Sequence, residues 1–203
     1  ESIYDIVILG AGSGGYATAL RAAQLGMKVA LIDGDKVGGT CLHRGCIPTK
    51  AYLHAAETAE AVRESAKFGV NSTFNGIDMA QVGAYRDSVI SGLYKGLRGL
   101  LKSRKVDLIS GWGHLADANT IEVGGQRITG RNIVLATGSY SRSIPGLDIG
   151  GRIISSDQAL QMNWVPSSVV ILGGGVIGLE FASVWRSFGA EVTIIEALPH
   201  LAN

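Results

Sequence analysis

The sequence predicts an α/β fold built on a parallel sheet, on three observations: an internal repeat, glycines at strand-to-helix turns, and an apolar, charge-poor composition. Residues 5–33 and 168–196 align without a gap at an offset of 163, with 10 of 29 positions identical. Each copy reads apolar strand, glycine turn, small-residue helix, glycine, apolar strand, acid. The first runs Ile6 to Leu9, Gly10 onward, Gly26, Val29 to Ile32 and Asp33; the second runs Val169 to Leu172, Gly173 onward, Gly189, Val192 to Ile195 and Glu196. Two strands joined through a helix pair in parallel, which makes each copy a βαβ unit. Gly26 and Gly189 stand where a left-handed cap would end the helix.

The chain holds 29 glycines in 203 residues, about twice the usual ~7%. Apolar residues at 46% can build a core, and charged residues at 17% are too few for a disordered or coiled-coil chain. With 18 basic against 17 acidic residues, net charge +1, there is no electrostatic case for nucleic acid or an anionic membrane surface, and small-molecule ligands are expected. No apolar run approaches the ~18 residues that span a bilayer, and the start resembles neither a signal nor a transit peptide. The expected location is the cytoplasm, or the mitochondrial matrix in a eukaryote.

Between the copies, residues 49–67 and 79–105 read as amphipathic helices, the second with Val82, Tyr85, Val89, Leu93, Leu97 and Leu100 on one face. Gly92, Gly96 and Gly99 interrupt that helix, each costing up to ~1 kcal/mol relative to Ala. Either a close backbone approach offsets the cost or they lie on an exposed face. Residues 108–137 read as short strands with a Gly124-Gly125 hairpin turn, a small β-meander interrupting the parallel sheet. Turn residues cluster from Pro145-Gly146 to Gly150-Gly151, so the expected domains are 1–146 and 147–203.

Gly10-x-Gly12-x-x-Gly15 follows a strand, opens a helix and is answered by Asp33. That context makes it a dinucleotide fingerprint. The first glycine permits the turn, the second lets a pyrophosphate reach the backbone, and the third lets helix and strand pack. The phosphate rests on the helix N-terminus, and the acid accepts from a ribose 2′-hydroxyl. Gly173-x-Gly175-x-x-Gly178 with Glu196 repeats every element. No Arg follows Glu196 closely, so the second site is expected to prefer NAD to NADP.

Cys41 and Cys46, the two cysteines, frame Cys41-Leu42-His43-Arg44-Gly45-Cys46. In one regular helix their Cα atoms would lie too far apart for a bridge, so Gly45 and Pro48 suggest an irregular helix start. Arg44 and a helix N-terminus would both favour the thiolate of whichever sulfur they face. Three readings compete. A metal site with His43 lacks the four ligands of structural zinc, so no metal is expected; an inert buried pair is the ordinary fate of free cysteine; a redox pair suits the setting. Two dinucleotides beside a dithiol describe a two-electron relay, and because a nicotinamide needs an intermediary to reduce a disulfide, FAD is expected in the first site.

The run Gly39-Thr40-Cys41-Leu42-His43-Arg44-Gly45-Cys46-Ile47-Pro48-Thr49-Lys50, the two fingerprints, and Ala136-Thr137-Gly138-Ser139 together resemble the class I pyridine nucleotide-disulfide oxidoreductases. The resemblance runs from Tyr4 to the end of the chain and is to the N-terminal portion of the dihydrolipoyl dehydrogenase branch. It implies an FAD/NAD(P)-binding, Rossmann-like three-layer fold with the start of a second such domain. It further implies FAD contacts from Gly10, Gly12, Gly15, Asp33, Gly39, Thr40, Lys50, Gly113, Thr137, Gly138 and Ser139, and NAD contacts from Gly173, Gly175, Gly178 and Glu196. Lys50 would lie near flavin N5, paired with Glu180. Cys46 would be the charge-transfer thiolate and Cys41 the interchange thiol that meets the lipoyl group. Without the family, Lys50 reads equally as solvated and Glu180 as a helix-face acid.

The implied reaction oxidises dihydrolipoyl groups with NAD⁺, with lipoyl domains of 2-oxo acid dehydrogenase complexes or a small disulfide as partners and a homodimer as the full-length form. Ser13 replaces a frequent Pro, and His43-Arg44 a more usual Asn-Val. The chain stops soon after Glu196 and begins at Glu1 without Met, so a fragment is expected, lacking the rest of the NAD domain and the C-terminal interface domain with its His-Glu base. His43, His54, His114 and His200 do not match that base and read as surface or turn residues. Rival readings are a glutathione-, mycothione- or mercuric-reductase-like enzyme and a non-catalytic FAD-binding fragment. The NADPH preference of the glutathione and mercuric reductases counts against them here.

Overall fold

The computed structural model describes residues 3–202; Glu1, which bears on the expected fragment start, lies outside them. In chain order the elements are β1 (Tyr4–Leu9), α1 (Ser13–Gln24), β2 (Val29–Asp33), α2 (Gly39–His43), α3 (Cys46–Glu64), α4 (Met79–Ser103), β3 (Asp107–Ser110), β4 (Gly113–Asp117), β5 (Thr120–Val123), β6 (Gln126–Leu135), α5 (Ser156–Ala159), β7 (Ser168–Leu172), α6 (Val176–Phe188) and β8 (Glu191–Ile195). A 3₁₀ turn, Ser65–Phe68, follows α3. They form two compact units interleaved along the chain: residues 3–43 with Ile90–Arg142, and Arg44–Val89 with residues 143–202. No helix among the described residues is long and apolar enough to cross a membrane.

The first unit carries a six-stranded, mostly parallel sheet in the order β3-β2-β1-β6-β5-β4. β1 pairs in parallel with β2 and β6, and β2 with β3, while β4, β5 and the start of β6 form an antiparallel meander. Successive strand side chains point to opposite faces, and both faces are buried here. Ile6, Ile8, Val29 and Leu31 pack with Ala19 and Ala22 of α1 and Leu101 of α4. Val7, Ala30 and Ile32 pack on the other side with Ile121 and Val123 of the meander. Near-continuous hydrophobicity in β1 and β2 follows from this double burial.

The second unit repeats the βαβ motif with β7 and β8 paired in parallel. Its core joins Val169, Ile171 and Val192 to Phe181, Val184, Trp185 and Phe188 of α6 and to Tyr52 and Ala56 of α3. The buried Arg86 donates to the Leu160 carbonyl and the Tyr52 hydroxyl, and that hydroxyl donates to the same carbonyl, so a polar knot closes this core.

Two expectations are revised. The first intervening helix starts at Cys46 rather than near Thr49, because Pro48 sits in the first turn, where a backbone N–H has no intrahelical acceptor to lose. The predicted apolar face of α4 is only partly buried: Val82 and Leu97 pack against cores, whereas Tyr85, Leu93 and Leu100 are exposed and Met79, Arg86 and Leu101 are buried instead. Nothing lies within 4 Å of a Cβ built on Gly92, Gly96 or Gly99, so those glycines occupy open positions. Gly26 and Gly189 take φ of +81° and +107° as helix-ending glycines, and Gly124 and Gly125 make the hairpin turn between β5 and β6 with φ of +56° and +78°.

Lys105, which follows the end of α4, holds φ of +57°, a left-handed conformation that a Cβ disfavours. Lys105→Gly should raise thermal stability by about 0.5–1 kcal/mol. An unchanged or lowered midpoint in a calorimetric melt would refute the strain assignment.

Candidate functional site

Each βαβ unit ends its first strand at a glycine turn whose geometry is set by close packing. A Cβ on Gly15 would lie 1.7 Å from the Gly10 carbonyl oxygen, and one on Gly178 would lie 2.1 Å from the Gly173 carbonyl oxygen. No L side chain fits either position. Gly12 and Gly175 are the N-caps of α1 and α6, and neither helix start has a side-chain cap or an acidic residue in its first turn. The amide groups and the positive end of the helix dipole are therefore available to an anion. Nothing lies within 4 Å of a Cβ built on Gly175, so the space before that amide is open. Both turns fit a bound pyrophosphate.

The acids close the same turns. Asp33 accepts from the Ala11 amide at 2.5 Å and from its own loop at Asp35 at 2.7 Å. Glu196 accepts from the Gly174 amide at 2.6 Å and from Leu198 at 2.8 Å. These bonds coincide under the repeat offset. Reading the acid as a ribose acceptor alone missed them; the common spacing of acid and turn was the available signal. A carboxylate oxygen has two lone pairs, so each acid retains acceptor capacity for a hydroxyl. The Leu198 and Gly174 amides hold the Glu196 carboxyl below its ordinary value of 4.5.

The first turn is further enclosed. The Gly38 amide donates to the Ala11 carbonyl at 2.8 Å, and a Cβ on Gly39 would stand 2.6 Å from Gly12 Cα. Behind Gly10, whose φ is +101°, a Cβ would meet the Ala136 carbonyl oxygen at 2.1 Å and Thr137 Cα at 3.2 Å. Gly39 and the Ala136–Ser139 segment thus border the first fingerprint, with Thr137, Gly138 and Ser139 exposed. Gly113 opens β4 against Leu9, Ile32 and Ile121. Asp33 also lines a cleft of about 210 Å³ with Asp35, Val37, Tyr94, Arg98, Leu108 and Ser110. Tyr94 and Arg98, one helical turn apart on α4, gave no motif signal.

The cysteines lie on separate helices. Cys41 is half-buried in α2 of the first unit, directly after Thr40, and Cys46 is exposed at the first position of α3 in the second unit. Gly45 caps α3, and the Thr49 hydroxyl donates back to the Gly45 carbonyl at 2.7 Å. Lys50, one turn into α3, forms an ion pair with Glu180 of α6 within the second unit. His43 bonds the Val37 carbonyl at 2.8 Å and meets the Tyr94 ring edge-on, while His54 and His114 lie beside Glu57 and Glu122.

Fold and turns together define a protein with two dinucleotide-type phosphate cradles and a cysteine directly beyond one of them. The model of the pyridine nucleotide-disulphide oxidoreductase family matches residues 4–203, and the chain belongs to that family. It is 41% identical over 207 residues to dihydrolipoyl dehydrogenase of Bacillus subtilis, covering 95% of this chain and 44% of the relative. It is 44% identical over 209 residues to dihydrolipoyl dehydrogenase 3 of Pseudomonas putida, covering 98% and 44%. Among solved structures it is similar to the Cu(II) complex of the HOCl-induced flavoprotein disulfide reductase RclA from Escherichia coli, with a TM-score of 0.80 and 30% identity over 99% of this chain and 44% of that one. The chain thus spans less than half the length of these proteins.

A carboxyl held below its ordinary value stabilises the fold above that value, and the contribution is lost as pH falls through the lowered one. Glu196→Gln should therefore melt below the wild type at pH 7, and the gap should close as the pH drops below about 4. A gap independent of pH across that window would show that the carboxylate charge does not hold the second turn.

Proposed function

We propose that this chain is the electron-relay portion of a dihydrolipoyl dehydrogenase, which oxidises dihydrolipoyl groups and delivers two electrons to NAD⁺. The observation that carries the reading is that Gly39, which abuts the phosphate turn at Gly12, stands two residues ahead of Cys41. FAD would be held by the first turn and NAD by the second, with residues 1–146 belonging to the FAD domain and 147–203 beginning the NAD domain. FAD, when bound, supplies two-electron chemistry that couples a dithiol to a nicotinamide.

This chain's own residues would bind, orient and transfer as follows. The amides at the start of α1, with Gly10, Gly12, Gly15, Gly39 and Thr40, would hold the flavin nucleotide's pyrophosphate, and Asp33 its ribose. Gly113, Thr137, Gly138 and Ser139 would line the rest of that site. Gly173, Gly175, Gly178 and Glu196 would do the same for NAD, Glu196 disfavouring a 2′-phosphate by charge. Cys41 would exchange with the dihydrolipoyl sulfur: a dihydrolipoyl thiolate attacks Cys41 of the Cys41–Cys46 disulfide, releasing Cys46 as thiolate and forming a mixed disulfide. The second dihydrolipoyl thiol then displaces Cys41, so the lipoyl group leaves as its disulfide and the cysteine pair is left as the dithiol that reduces the flavin. The Lys50–Glu180 pair would hold a fixed positive charge beside the flavin. Lipoyl domains of 2-oxo acid dehydrogenase complexes are the proposed partners, a homodimer the proposed full-length assembly, and bacterial cytoplasm or mitochondrial matrix the proposed compartment.

An enzyme of the relatives' full length carrying this segment should turn over dihydrolipoamide with NAD⁺ and not glutathione disulfide with NADPH. Its Cys46→Ser variant should stay yellow but lose the long-wavelength absorbance that appears on reduction. Preference for the second substrate pair would overturn the substrate assignment, and retention of that absorbance would overturn the role of Cys46.

A further inference from the structure

Trp112 is 83% exposed, yet its ring is held in place. The indole lies flat against the backbone of Gly34: a Cβ built there would come within 2.4 Å of Trp112 Cδ2 and 2.6 Å of Cε2. Gly34 therefore has to be glycine for the ring to rest where it does. The second repeat supplies an internal control, since the position equivalent to Gly34 under the offset of 163 is Ala197. The turn itself tolerates a methyl group, and the requirement at residue 34 comes from the indole. The loop carrying the ring is tied to the acid as well, because the Gly111 amide donates to the Asp33 carbonyl at 2.8 Å.

One side of an aromatic plate is thus occupied by the residue after Asp33, and the ring is otherwise largely open to solvent. In a nucleotide the base is attached to the carbon next to the one bearing the 2′-hydroxyl. A ribose held by Asp33 brings its base to this neighbourhood, and a base offers a π-face to any aromatic plate. We propose that Trp112 stacks on the adenine of the dinucleotide in the first site, making it a residue that favours an adenine-bearing flavin. The inference rests on the assignment of FAD to that site.

The test uses the full 203-residue chain. FAD titrated by flavin fluorescence should bind Trp112→Ala about 10-fold more weakly than wild type, and Trp112→Phe within about 3-fold of it, because phenylalanine keeps a plate. A second readout uses ADP, which has adenine but no flavin. In Trp164→Phe the remaining exposed indole is Trp112, since Trp185 is 2% exposed. ADP should then reduce acrylamide quenching of the tryptophan fluorescence. Wild-type affinity in Trp112→Ala, or unchanged quenching with ADP in a chain that binds FAD, would overturn the stacking role alone. A wild-type chain that takes up no FAD would overturn the first-site assignment and this inference with it.

Discussion

A carboxylate reaching across a glycine turn to one backbone amide organises both halves of this protein. Asp33 takes the Ala11 amide and Glu196 the Gly174 amide, at 2.5 and 2.6 Å. Each bond joins the tip of the second strand to the loop that opens the helix, so it fixes the loop that precedes a helix start without a side-chain cap. A charge-assisted bond is stronger than a neutral one. The same carboxylates therefore hold the turns in shape, and pre-organisation lowers the ordering cost that a ligand must offset.

The two repeats show how far a shared motif determines burial. Val7 and Ile32 are 0% exposed, whereas their counterparts Val170 and Ile195 are 62% and 54% exposed. Their residue types match, and the difference is what lies over the strands. In the first unit the β4–β6 meander supplies Ile121 and Val123 to that face. In the second unit the buried face is the one toward α6 and α3. The glycines follow the same logic: Gly15 and Gly178 are both hemmed in by their own turn, while Gly10 is crowded by Ala136 and Gly173 by nothing within 4 Å.

The helix break at Arg44-Gly45 gives the cysteines different settings despite their short separation in sequence. Cys41 ends up half-buried in a five-residue helix and Cys46 exposed at the start of a long one. Lys50 follows on the same helix and is partnered by Glu180 of α6, a pair separated by 130 residues in sequence.

Sequence by itself determined the local units: two βαβ repeats, their glycine turns, the acids, the hairpin at Gly124-Gly125 and the interrupted helix around the cysteines. These were legible because strand, turn and cap geometry depend on residues a few positions apart, where backbone sterics and hydrogen bonding act directly. Only the tertiary structure decided which faces those units bury. The apolar side of α4 was misjudged because helical periodicity marks a stripe without saying what covers it, and Arg86 proved to be buried because the Leu160 carbonyl and Tyr52 hydroxyl receive it. Trp112 on Gly34 was equally invisible in the chain. Contacts between distant residues depend on how whole elements pack, which local spacing does not encode.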